Sequence, residues 1–565
     1  MEPLINCHSR AGGNLASLKS LGYRLRGNDG FIINLCSPVF RAAVVFSLCL
    51  LGLSPLQVFA LPPVIEGVVF DDRNGNGVQD KSEPGIADVA VSDGQTIVRT
   101  DAKGRWLLYP SEASIVFVIK PDGWSVPANQ TGLPDFWVDV HSERANQGVQ
   151  FALQKKSDQQ KQANSLQNKF DLLIFGDPQP KNSQDVGYYE KDIVEPLIGN
   201  ARASLGISLG DIVHSNLSLF ASMNQVTRRL ETPWLHVSGN HDRDHTALRD
   251  ETSLQTFSTF YGPDTFAWEE SGVSLIVLDD VIHEPNSGSP AKYVGGLRES
   301  QFQFLQTYLQ HLPKARRIIV AMHIPVFDAD ANPDKDTFRD TDRQRLFSLL
   351  SDFDSVLLLT GHVHTQRHFF HNEKNGWKGK TPLHEYNVGA ACGAFWSGVK
   401  DAAGIPEAAM QDGTPNGYAR LSWSENTAPL LSWQVARAPS NKQIQLFAPK
   451  VLRQKAYPAF GIYANVFMGM SDTPVEFRID GSDWKPMLRV EAMDPTVVEQ
   501  NIIDARSPQL RAYDLMSEAV TSQHLWRVAV PTHLPVGKHQ IEVRAKLNDK
   551  WFSESHTYEL RQAGP

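Results

Sequence analysis

Residues 234–242 read Trp-Leu-His-Val-Ser-Gly-Asn-His-Asp, an apolar run that leads directly into side chains of types that can bind a metal ion. The same arrangement recurs on both sides of it, where apolar runs lead into Asp, Gln or His residues. The clusters at these strand ends are Asp177-Pro178-Gln179, Gly210-Asp211, Gly239-Asn240-His241-Asp242, Met322-His323 and Gly361-His362-Val363-His364. Apolar strands with ligands at their carboxyl ends, joined by helical patterns such as residues 299–312, predict an α/β fold with its site along one sheet edge.

The five clusters supply about the right number of hard and borderline ligands for two divalent metal ions. A phosphate ester resists water because the attacking oxygen meets anionic oxygens. Two metal ions overcome this by making hydroxide from a bridging water, holding the ester oxygens and neutralising the charge that builds up. A lone His, Asp or Gln is usually a surface or core residue, but five ordered clusters are hard to obtain by chance. The pattern therefore predicts hydrolysis of phosphate esters by attack of a metal-bridging hydroxide on phosphorus.

The order and spacing of the Gly-Asp, Gly-Asn-His-Asp and Gly-His-x-His clusters resemble those of the calcineurin-like metallophosphoesterase superfamily. The resemblance implies a four-layer β-sandwich flanked by helices. It also implies two metal sites that share Asp211 as a bridging ligand. One site would comprise Asp177, Gln179, Asp211 and His364, and the other Asp211, Asn240, His323 and His362. His241 would lie near the leaving group as an acid or anion stabiliser, and Asp242 would orient it.

The first cluster departs from the usual pattern of the superfamily, which is Asp-x-His, because this chain has Asp177-Pro178-Gln179. A glutamine carbonyl is a harder ligand than imidazole, and it suits Mn²⁺, Mg²⁺ or Fe²⁺ better than Zn²⁺. The Asp-Pro-Gln form resembles a sub-branch whose catalytic domain lies between N-terminal and C-terminal β-domains. The departure leaves the metal open among Mn, Fe, Mg and Zn.

The chain has 565 residues, which is too long for one compact core. Short alternating runs separated by turn residues predict all-β domains at both ends. The predicted organisation is a signal peptide with a long leader at residues 1–60, an N-terminal β-sandwich at 61–154, a linker at 155–169, the metallophosphoesterase domain at 170–437 and a C-terminal β-domain at 438–565.

The N-terminal domain contains a candidate calcium loop. Residues 72–83 match the pattern D-x-[DN]-x-[DN]-G-x5-E at every specified position. The candidate ligands are Asp72, Asn74, Asn76, Val78 through its carbonyl, Asp80 and Glu83. A polar surface turn is the alternative, and flanking amphipathic helices are missing from the sequence pattern.

Residues 42–60 form an apolar stretch that follows Arg41 and ends in Val58-x-Ala60, which predicts an export signal cleaved after Ala60. A single N-terminal membrane anchor is the alternative. Of four cysteines, only Cys392 follows the predicted cleavage site, so the mature chain could form no internal disulfide. These features predict a bacterial periplasmic or cell-surface protein, with association with the cell envelope as a further prospect.

The net charge is -9, which gives no overall footprint for nucleic-acid binding, so a small phosphate ester is the expected partner. The segments 387–398 and 412–418 resemble parts of the same sub-branch and predict a substrate pocket, with loop packing as an equal alternative. The pocket candidates are Cys392, Trp396, Asn416 and Tyr418. Two alternative functions remain open: a cell-surface binding or adhesion protein with a vestigial metal site, and a phosphodiesterase or nuclease.

Overall fold

The computed structural model describes residues 64–109, 114–156, 169–201, 203–284, 292–327 and 337–562. The predicted signal peptide and most of the predicted linker lie outside these residues. None of the described helices is long and apolar enough to cross a membrane.

The described part of residues 64–156 forms two four-stranded sheets, in the strand orders β4-β1-β8-β6 and β3-β2-β5-β7. Alternating burial along these strands, as in β4, places apolar side chains between the sheets. A short helix, α1 (Glu143–Asn146), precedes the last strand. The strands are β1 (Ile65–Asp71), β2 (Ala90–Ser92), β3 (Ile97–Arg99), β4 (Arg105–Leu108), β5 (Ile115–Val118), β6 (Trp124–Ser125), β7 (Trp137–Asp139) and β8 (Val149–Lys155).

Two sheets form the core of the region that the sequence predicts to be catalytic (the catalytic region). The first has the order β11-β10-β9-β20-β21 and comprises β9 (Phe170–Phe175), β10 (Leu205–Leu209), β11 (Trp234–Val237), β20 (Gly417–Trp423) and β21 (Leu430–Val435). The second has the order β12-β13-β16-β17-β19-β18 and comprises β12 (Phe266–Glu270), β13 (Val273–Val277), β16 (Arg317–Ala321), β17 (Ser355–Thr360), β18 (Arg367–His371) and β19 (Leu383–Asn387). A hairpin of β14 (Val281–His283) and β15 (Tyr293–Gly295) stands beside them.

Burial explains why the central strands are continuous apolar runs. Strands β9, β10 and β11 pair in parallel, and so do β13, β16, β17 and β19. Every residue of β10, β11, β13 and β16 is buried, as expected for parallel strands that are covered on both faces. The flanking helices are α2 (Ser183–Tyr189), α3 (Phe220–Thr227), α4 (Gln255–Tyr261), α5 (Glu299–Gln310) and α6 (Asp340–Leu350).

The C-terminal region forms two further sheets, in the orders β22-β24-β28-β27 and β23-β30-β29-β25-β26. Its strands are β22 (Ile444–Phe447), β23 (Val451–Arg453), β24 (Ile462–Val466), β25 (Val475–Ile479), β26 (Lys485–Pro486), β27 (Leu488–Met493), β28 (Thr521–Val528), β29 (Gly537–Leu547) and β30 (Lys550–Arg561). One helix, α7 (Pro495–Ala505), lies between β27 and β28. The last strand in the chain that belongs to the catalytic sheets is therefore β21, which ends at Val435.

A buried ion pair fastens the N-terminal region to the catalytic region. Lys120 Nζ lies 2.6 Å from Glu270 Oε2, with the two side chains only 1% and 7% exposed. Lys156 Nζ contacts the same carboxylate at 2.6 Å. Arg316 reaches back to Asp122 at 2.6 Å. The two regions thus share a charged, largely water-excluded contact.

The structure confirms the fold expected from the sequence, a mixed α/β core between two β-sheet regions. The predicted strands at residues 170–175, 234–237 and 475–479 have the expected bounds. The predicted helix at 299–312 is α5, which ends two residues earlier, at Gln310.

Candidate metal centre

Both catalytic sheets contribute ligands to the site. Strands β9, β10 and β11 of the first sheet lead into Asp177, Asp211 and Asn240. Strands β16 and β17 of the second lead into His323 and His362. The carboxyl ends of parallel strands lie at one edge of their sheet, and here the two edges meet.

Five of the seven predicted ligands have a left-handed backbone, which is uncommon for residues other than glycine. The φ angles are 42° for Asp177, 42° for Gln179, 47° for Asp211, 74° for His362 and 50° for His364. Such conformations cost of order 1–3 kcal/mol each and persist where the surrounding fold imposes them, commonly at functional sites. The loops therefore direct these side chains into the site, and the strained backbone makes this locally unfavourable.

Two glycines let the ligand loops approach one another. A Cβ at Gly239 would lie 2.3 Å from Asp211 Oδ1. A Cβ at Gly210, where φ is +80°, would lie 2.4 Å from His323 Nδ1. Neither distance is compatible with a side chain, so these positions require glycine for the cluster to close.

Substituting Gly210→Ala is expected to lower kcat for the predicted phosphate-ester hydrolysis by about 10²-fold, because the added methyl group displaces the His323 ring and misplacements near 1 Å have such effects. Gly123→Ala is the matched control, since Gly123 has the same φ of +80° with no atom within 4 Å of the added Cβ. Steady-state kinetics of the two variants measures the effect. Equal activity of both variants would contradict a required close approach at Gly210.

One group of ligands converges on a common point. Ligand atoms of Asp211, His323 and His362 all lie within 4.8 Å of one another. His323 Nε2 lies 3.4 Å from Asp211 Oδ1, 3.1 Å from Asn240 Oδ1 and 3.2 Å from His362 Nδ1. Two ring nitrogens, a carboxylate and an amide oxygen around one point match the donors that Mn²⁺, Fe²⁺ and Zn²⁺ accept in proteins.

Backbone carbonyls fix the tautomers of two of the histidines. His323 Nδ1 donates to Leu209 O at 2.8 Å, and His364 Nδ1 donates to Gly393 O at 2.7 Å. Each bond leaves Nε2 as the nitrogen with a free lone pair. Metal-binding histidines commonly donate their second N–H in this way, so the rings are prepared for a cation.

The second group of ligands lies around Asp177. His364 Nε2 is 3.6 Å from Asp177 Oδ1, and the backbone N–H of His362 donates to the same carboxylate at 3.1 Å. Gln179 Nε2 donates to Asp211 Oδ2 at 3.0 Å, which brings its side-chain amide between the two groups. The two ends of that amide have the same shape, so a half-turn directs Oε1 at the same point as a ligand. The donor set therefore fits a second cation of the oxygen-preferring kind.

The pKa values of the buried side chains indicate that the cluster favours a positive charge. Burial raises the pKa of Asp177 to about 7, and the nearby Asp211 adds to the rise. Burial also opposes the charged form of His323, but Asp211 outweighs it and raises the pKa of His323 to about 10. Burial lowers the pKa of His362 to about 3 and that of His364 to about 4, so both rings are neutral and able to bind metal. A bound cation would take the place of the proton on His323, since metal and proton compete for the same lone pair.

The two predicted catalytic residues have different surroundings from those expected. Asp242 is fully buried, and its carboxylate accepts hydrogen bonds from the backbone N–H groups of Ile212, Val213 and Gly239. The expectation that Asp242 orients the His241 ring was therefore wrong, because its oxygens are occupied in tying two loops together. The His241 ring is instead held by a residue that the sequence did not single out, Ser215, whose Oγ lies 2.7 Å from Nδ1.

Aromatic rings surround the ligand loops. His214 stacks on His241 with ring centroids 4.4 Å apart, and Phe395 lies 5.9 Å from His214 and 4.6 Å from His364. Tyr293 on the hairpin approaches His362 edge-on at 6.1 Å. No motif in the sequence marks these residues, since a single aromatic residue in a loop has many other uses.

The comparisons with known proteins agree with this geometry. Residues 170–366 match the profile of the calcineurin-like phosphoesterases. The flanking segments match the profiles named for the N terminal and the C terminal of calcineurin-like phosphoesterase, at residues 73–156 and 385–551. The chain belongs to the calcineurin-like phosphoesterase family. The C-terminal match begins inside the second catalytic sheet, in β19, and so includes strands of both regions.

Other comparisons add little to the family assignment. Vacuolar protein sorting 29 from Cryptosporidium parvum is 14% identical over 47% of this chain and 97% of its own, with a TM-score of 0.20. The endo-beta-1,4-mannanase from Thermotoga petrophila is 8% identical over 67% of this chain and 71% of its own, with a TM-score of 0.15. Scores this low carry no argument about fold or function. None of the curated proteins matches this chain.

All four residues of the predicted substrate pocket are buried, which favours the alternative of loop packing. Trp396 donates its indole N–H to Pro178 O at 2.9 Å. Asn416 donates to Asp192 Oδ2 at 2.7 Å, and Tyr418 packs in the first sheet. Cys392 is fully buried, with Sγ 3.7 Å from His364 Nδ1, and burial raises the pKa of its thiol well above the usual value. Trp396 and Cys392 therefore pack against the loops that carry the ligands.

The C-terminal region braces one of the ligand loops. Asp412 Oδ2 accepts a hydrogen bond from the backbone N–H of Gln366, two residues beyond His364, at 2.7 Å. His524 of β28 lies 3.1 Å from the same oxygen, and Asn465 of β24 holds the other ring nitrogen of His524 at 2.7 Å. The predicted substrate loop at residues 412–418 thus connects the family's C-terminal sheets to the metal centre.

The candidate calcium loop is a compact turn ahead of β2. Asp72 and Glu83 are 2% and 5% exposed. The Asp72 carboxylate accepts from the backbone N–H groups of Gly75 and Gly77, and Glu83 accepts from those of Arg73 and Asp80. Asn74 and Asn76 both donate to Asp80 Oδ2, whereas the side chain of Val78 is 57% exposed. Calcium binding at this loop stays a prediction.

Proposed function

We propose that this chain is an exported, dimetal-dependent hydrolase of small or exposed phosphate esters. The observation that carries the proposal is the convergence of Asp211, His323 and His362 within 4.8 Å in a calcineurin-like phosphoesterase domain. The buried position of Asp211, at the meeting point of the loops, suits the role of a bridging ligand.

Seven side chains would hold the metal ions. One ion would be held by Asp177, Gln179, Asp211 and His364, and the other by Asp211, Asn240, His323 and His362. Two divalent ions, when bound, supply Lewis-acid stabilisation of the phosphoryl oxygens and a water activated for attack. Because Gln179 replaces an imidazole with an oxygen ligand, Mn²⁺, Fe²⁺ or Mg²⁺ is proposed ahead of Zn²⁺.

The remaining chemistry belongs to the protein side chains. Asp177 and His323 are fully buried and Asp211 is 2% exposed, so these three ligands are shielded from bulk water. Charge interactions are stronger in such an environment than in solvent, which favours the charge that develops on phosphoryl transfer. His241, anchored through its backbone N–H to Asp211 Oδ1 at 2.8 Å, would face the leaving oxygen.

Export is proposed on the sequence of residues 42–60, with a bacterial periplasmic or surface location and cleavage after Ala60. A net charge of -9 supports a small phosphate ester as the partner ahead of a nucleic acid. N-terminal sequencing of the protein recovered from a periplasmic fraction tests the location. A chain found in the cytoplasm with its first 60 residues intact would contradict it.

The reaction is tested by reconstituting chelator-treated protein with Mn²⁺, Fe²⁺, Mg²⁺ or Zn²⁺ and assaying phosphomonoesters, phosphodiesters, nucleotides and phospholipid headgroups. Hydrolysis of at least one class, dependent on added metal, is expected. No hydrolysis with any metal would favour the alternative of a binding protein with a vestigial site.

The candidate calcium loop yields a separate prediction. Adding Ca²⁺ at about 100 times its dissociation constant to chelator-treated protein is expected to stabilise the N-terminal region by about 2.7 kcal/mol. Glu83→Gln should abolish this increase because it removes the carboxylate that closes the loop. Asp88→Asn, an exposed carboxylate of the same region, is the control that should retain it. A calcium-independent melting temperature in the parent protein would contradict the loop assignment.

A further inference from the structure

The position of the His241 ring depends on one hydroxyl group. Ser215 Oγ lies 2.7 Å from His241 Nδ1. None of the hydrogen bonds among the described residues engages His241 Nε2. Ser215 therefore occupies one ring nitrogen and leaves the other available to substrate.

The backbone at Ser215 indicates that the fold imposes this contact. Its φ is +62°, in the left-handed region that serine rarely adopts. Strained non-glycine residues of this kind cluster at functional sites. Ser215 follows Asp211 by four residues, so the loop that presents the central metal ligand also presents the hydroxyl.

A second contact limits rotation of the ring. His214 stacks on His241 at 4.4 Å with 21° between the ring planes, and Phe395 packs edge-on against His214 at 5.9 Å. The stack fixes the plane of the His241 ring, and the Ser215 hydrogen bond fixes which edge points inward. Both contacts are needed to hold one nitrogen in a defined direction.

We propose that Ser215 is a positioning residue that aims His241 Nε2 at the leaving oxygen, and that the site consequently serves phosphate esters of alcohols that leave poorly. The inference rests on the proposed phosphoesterase function. An acid at the leaving oxygen accelerates cleavage most when that oxygen is strongly basic, as in alkyl, sugar and lipid-headgroup alcohols. Aryl esters with stabilised leaving groups need it least.

In the proposed step, His241 acts as the proton donor to the leaving oxygen. The bond from phosphorus to the leaving oxygen breaks, and its electron pair stays on that oxygen. The proton on His241 Nε2 passes to this oxygen, so the alcohol leaves neutral. The ring keeps its proton on Nδ1, which Ser215 Oγ accepts. The oxygen of a water molecule forms the new bond to phosphorus, and the proton that this water releases restores the proton on His241 Nε2.

The test compares two esters in the metal-reconstituted full chain, p-nitrophenyl phosphate with a good leaving group and glycerol phosphate with a poor one. Ser215→Gly removes the hydroxyl and suits the left-handed backbone, so folding is preserved. We expect the ratio of kcat on glycerol phosphate to kcat on p-nitrophenyl phosphate to fall at least about tenfold, with KM for each ester little changed. Ser215→Asn, which keeps a polar group and tolerates this backbone, should recover part of the ratio.

Ser271→Gly is the matched control, because Ser271 also has a left-handed backbone, with φ of 49°, and lies beside Glu270 at the contact with the N-terminal region. It should leave the ratio unchanged. An equal loss on both esters in Ser215→Gly, or no loss at all, would overturn the positioning role while leaving the proposed function intact. Failure of the parent protein to hydrolyse either ester with any metal would overturn both.

Discussion

Replacing Asp211 with Asn is expected to abolish turnover of p-nitrophenyl phosphate and of its bis-ester, by at least about 10³-fold, without unfolding the protein. Asp211 is 2% exposed, lies 3.4 Å from His323 Nε2 and accepts hydrogen bonds from His241 N and Gln179 Nε2. The amide keeps the size of the side chain but removes the charge that both metal sites would share. Activity and circular dichroism, measured on the same preparation, separate the chemical effect from a folding effect.

The matched control for this variant is Asp352→Asn, an exposed carboxylate in the same region whose side chain is 74% exposed and pairs only with Lys314 at 3.3 Å. It should keep full activity. Full activity in Asp211→Asn would contradict the assignment of a shared metal ligand.

The second large effect concerns stability. Glu270→Ala is expected to destabilise the contact between the N-terminal and catalytic regions by about 3–5 kcal/mol, because it leaves the buried Lys120 ammonium without its counter-ion. Lys120 is 1% exposed and has 2.6 Å contacts with Glu270 Oε2 and Glu269 O. Thermal unfolding followed by calorimetry, together with the rate of proteolysis in the N-terminal region, measures the loss.

Asp354→Asn is the control, because its pair with Lys380 is exposed and exposed pairs contribute at most about 1 kcal/mol. The double variant Lys120→Met with Glu270→Leu should regain most of the stability, since an apolar pair of similar size needs no counter-ion. If Glu270→Ala lowers the stability no more than the control does, the ion pair does not stabilise the contact between the two regions.

The same pair gives a pH dependence. Burial tends to raise the pKa of Glu270, but Lys120 and Lys156 outweigh it and lower the pKa below its usual value. A carboxylate with a lowered pKa in the folded state stabilises that state fully above its unfolded pKa, near 4.3, and this contribution is lost as the pH falls through the folded pKa. Acid unfolding of Glu270→Ala should therefore be less steep than that of the parent.

The ligand clusters could be predicted from the sequence because each is encoded by a short, contiguous stretch of residues. An apolar run that ends in Gly-Asp or Gly-Asn-His-Asp reveals both the strand and the side chains at its end, as at β10 and Asp211 or at β11 and Asn240. The contact between Asp211 and His323 could not be predicted from a local pattern, because 112 residues separate them and they follow strands of different sheets. The resemblance to a known family supplied that pairing.

The direction of a side chain in a loop could not be predicted. The sequence made Trp396 a candidate for the substrate pocket, yet its neighbour Phe395 approaches His364 while Trp396 is 3% exposed. Both residues have a left-handed backbone, at φ 63° and 54°, and this turn decides which ring faces the site. Sequence patterns carry no signal for such a turn.

The partner of His241 was missed for a similar reason. Asp242 is adjacent in sequence and carries the charge that commonly orients a histidine, but its carboxylate is used by three backbone N–H groups. Ser215 reaches the ring only because its own loop is strained at φ +62°. The contact of Lys120 with Glu270, 150 residues apart, is likewise a consequence of domain packing and not of any local motif.

The most direct test of the metal centre is its stoichiometry. Chelator-treated protein should recover phosphoesterase activity in proportion to added Mn²⁺ and saturate at two ions per chain, with elemental analysis finding two bound ions in the parent and fewer in Asp211→Asn. A parent protein that binds no such ion with useful affinity, and whose activity does not respond to metal, would contradict the assignment of Asp177, Gln179, Asp211, Asn240, His323, His362 and His364 as ligands.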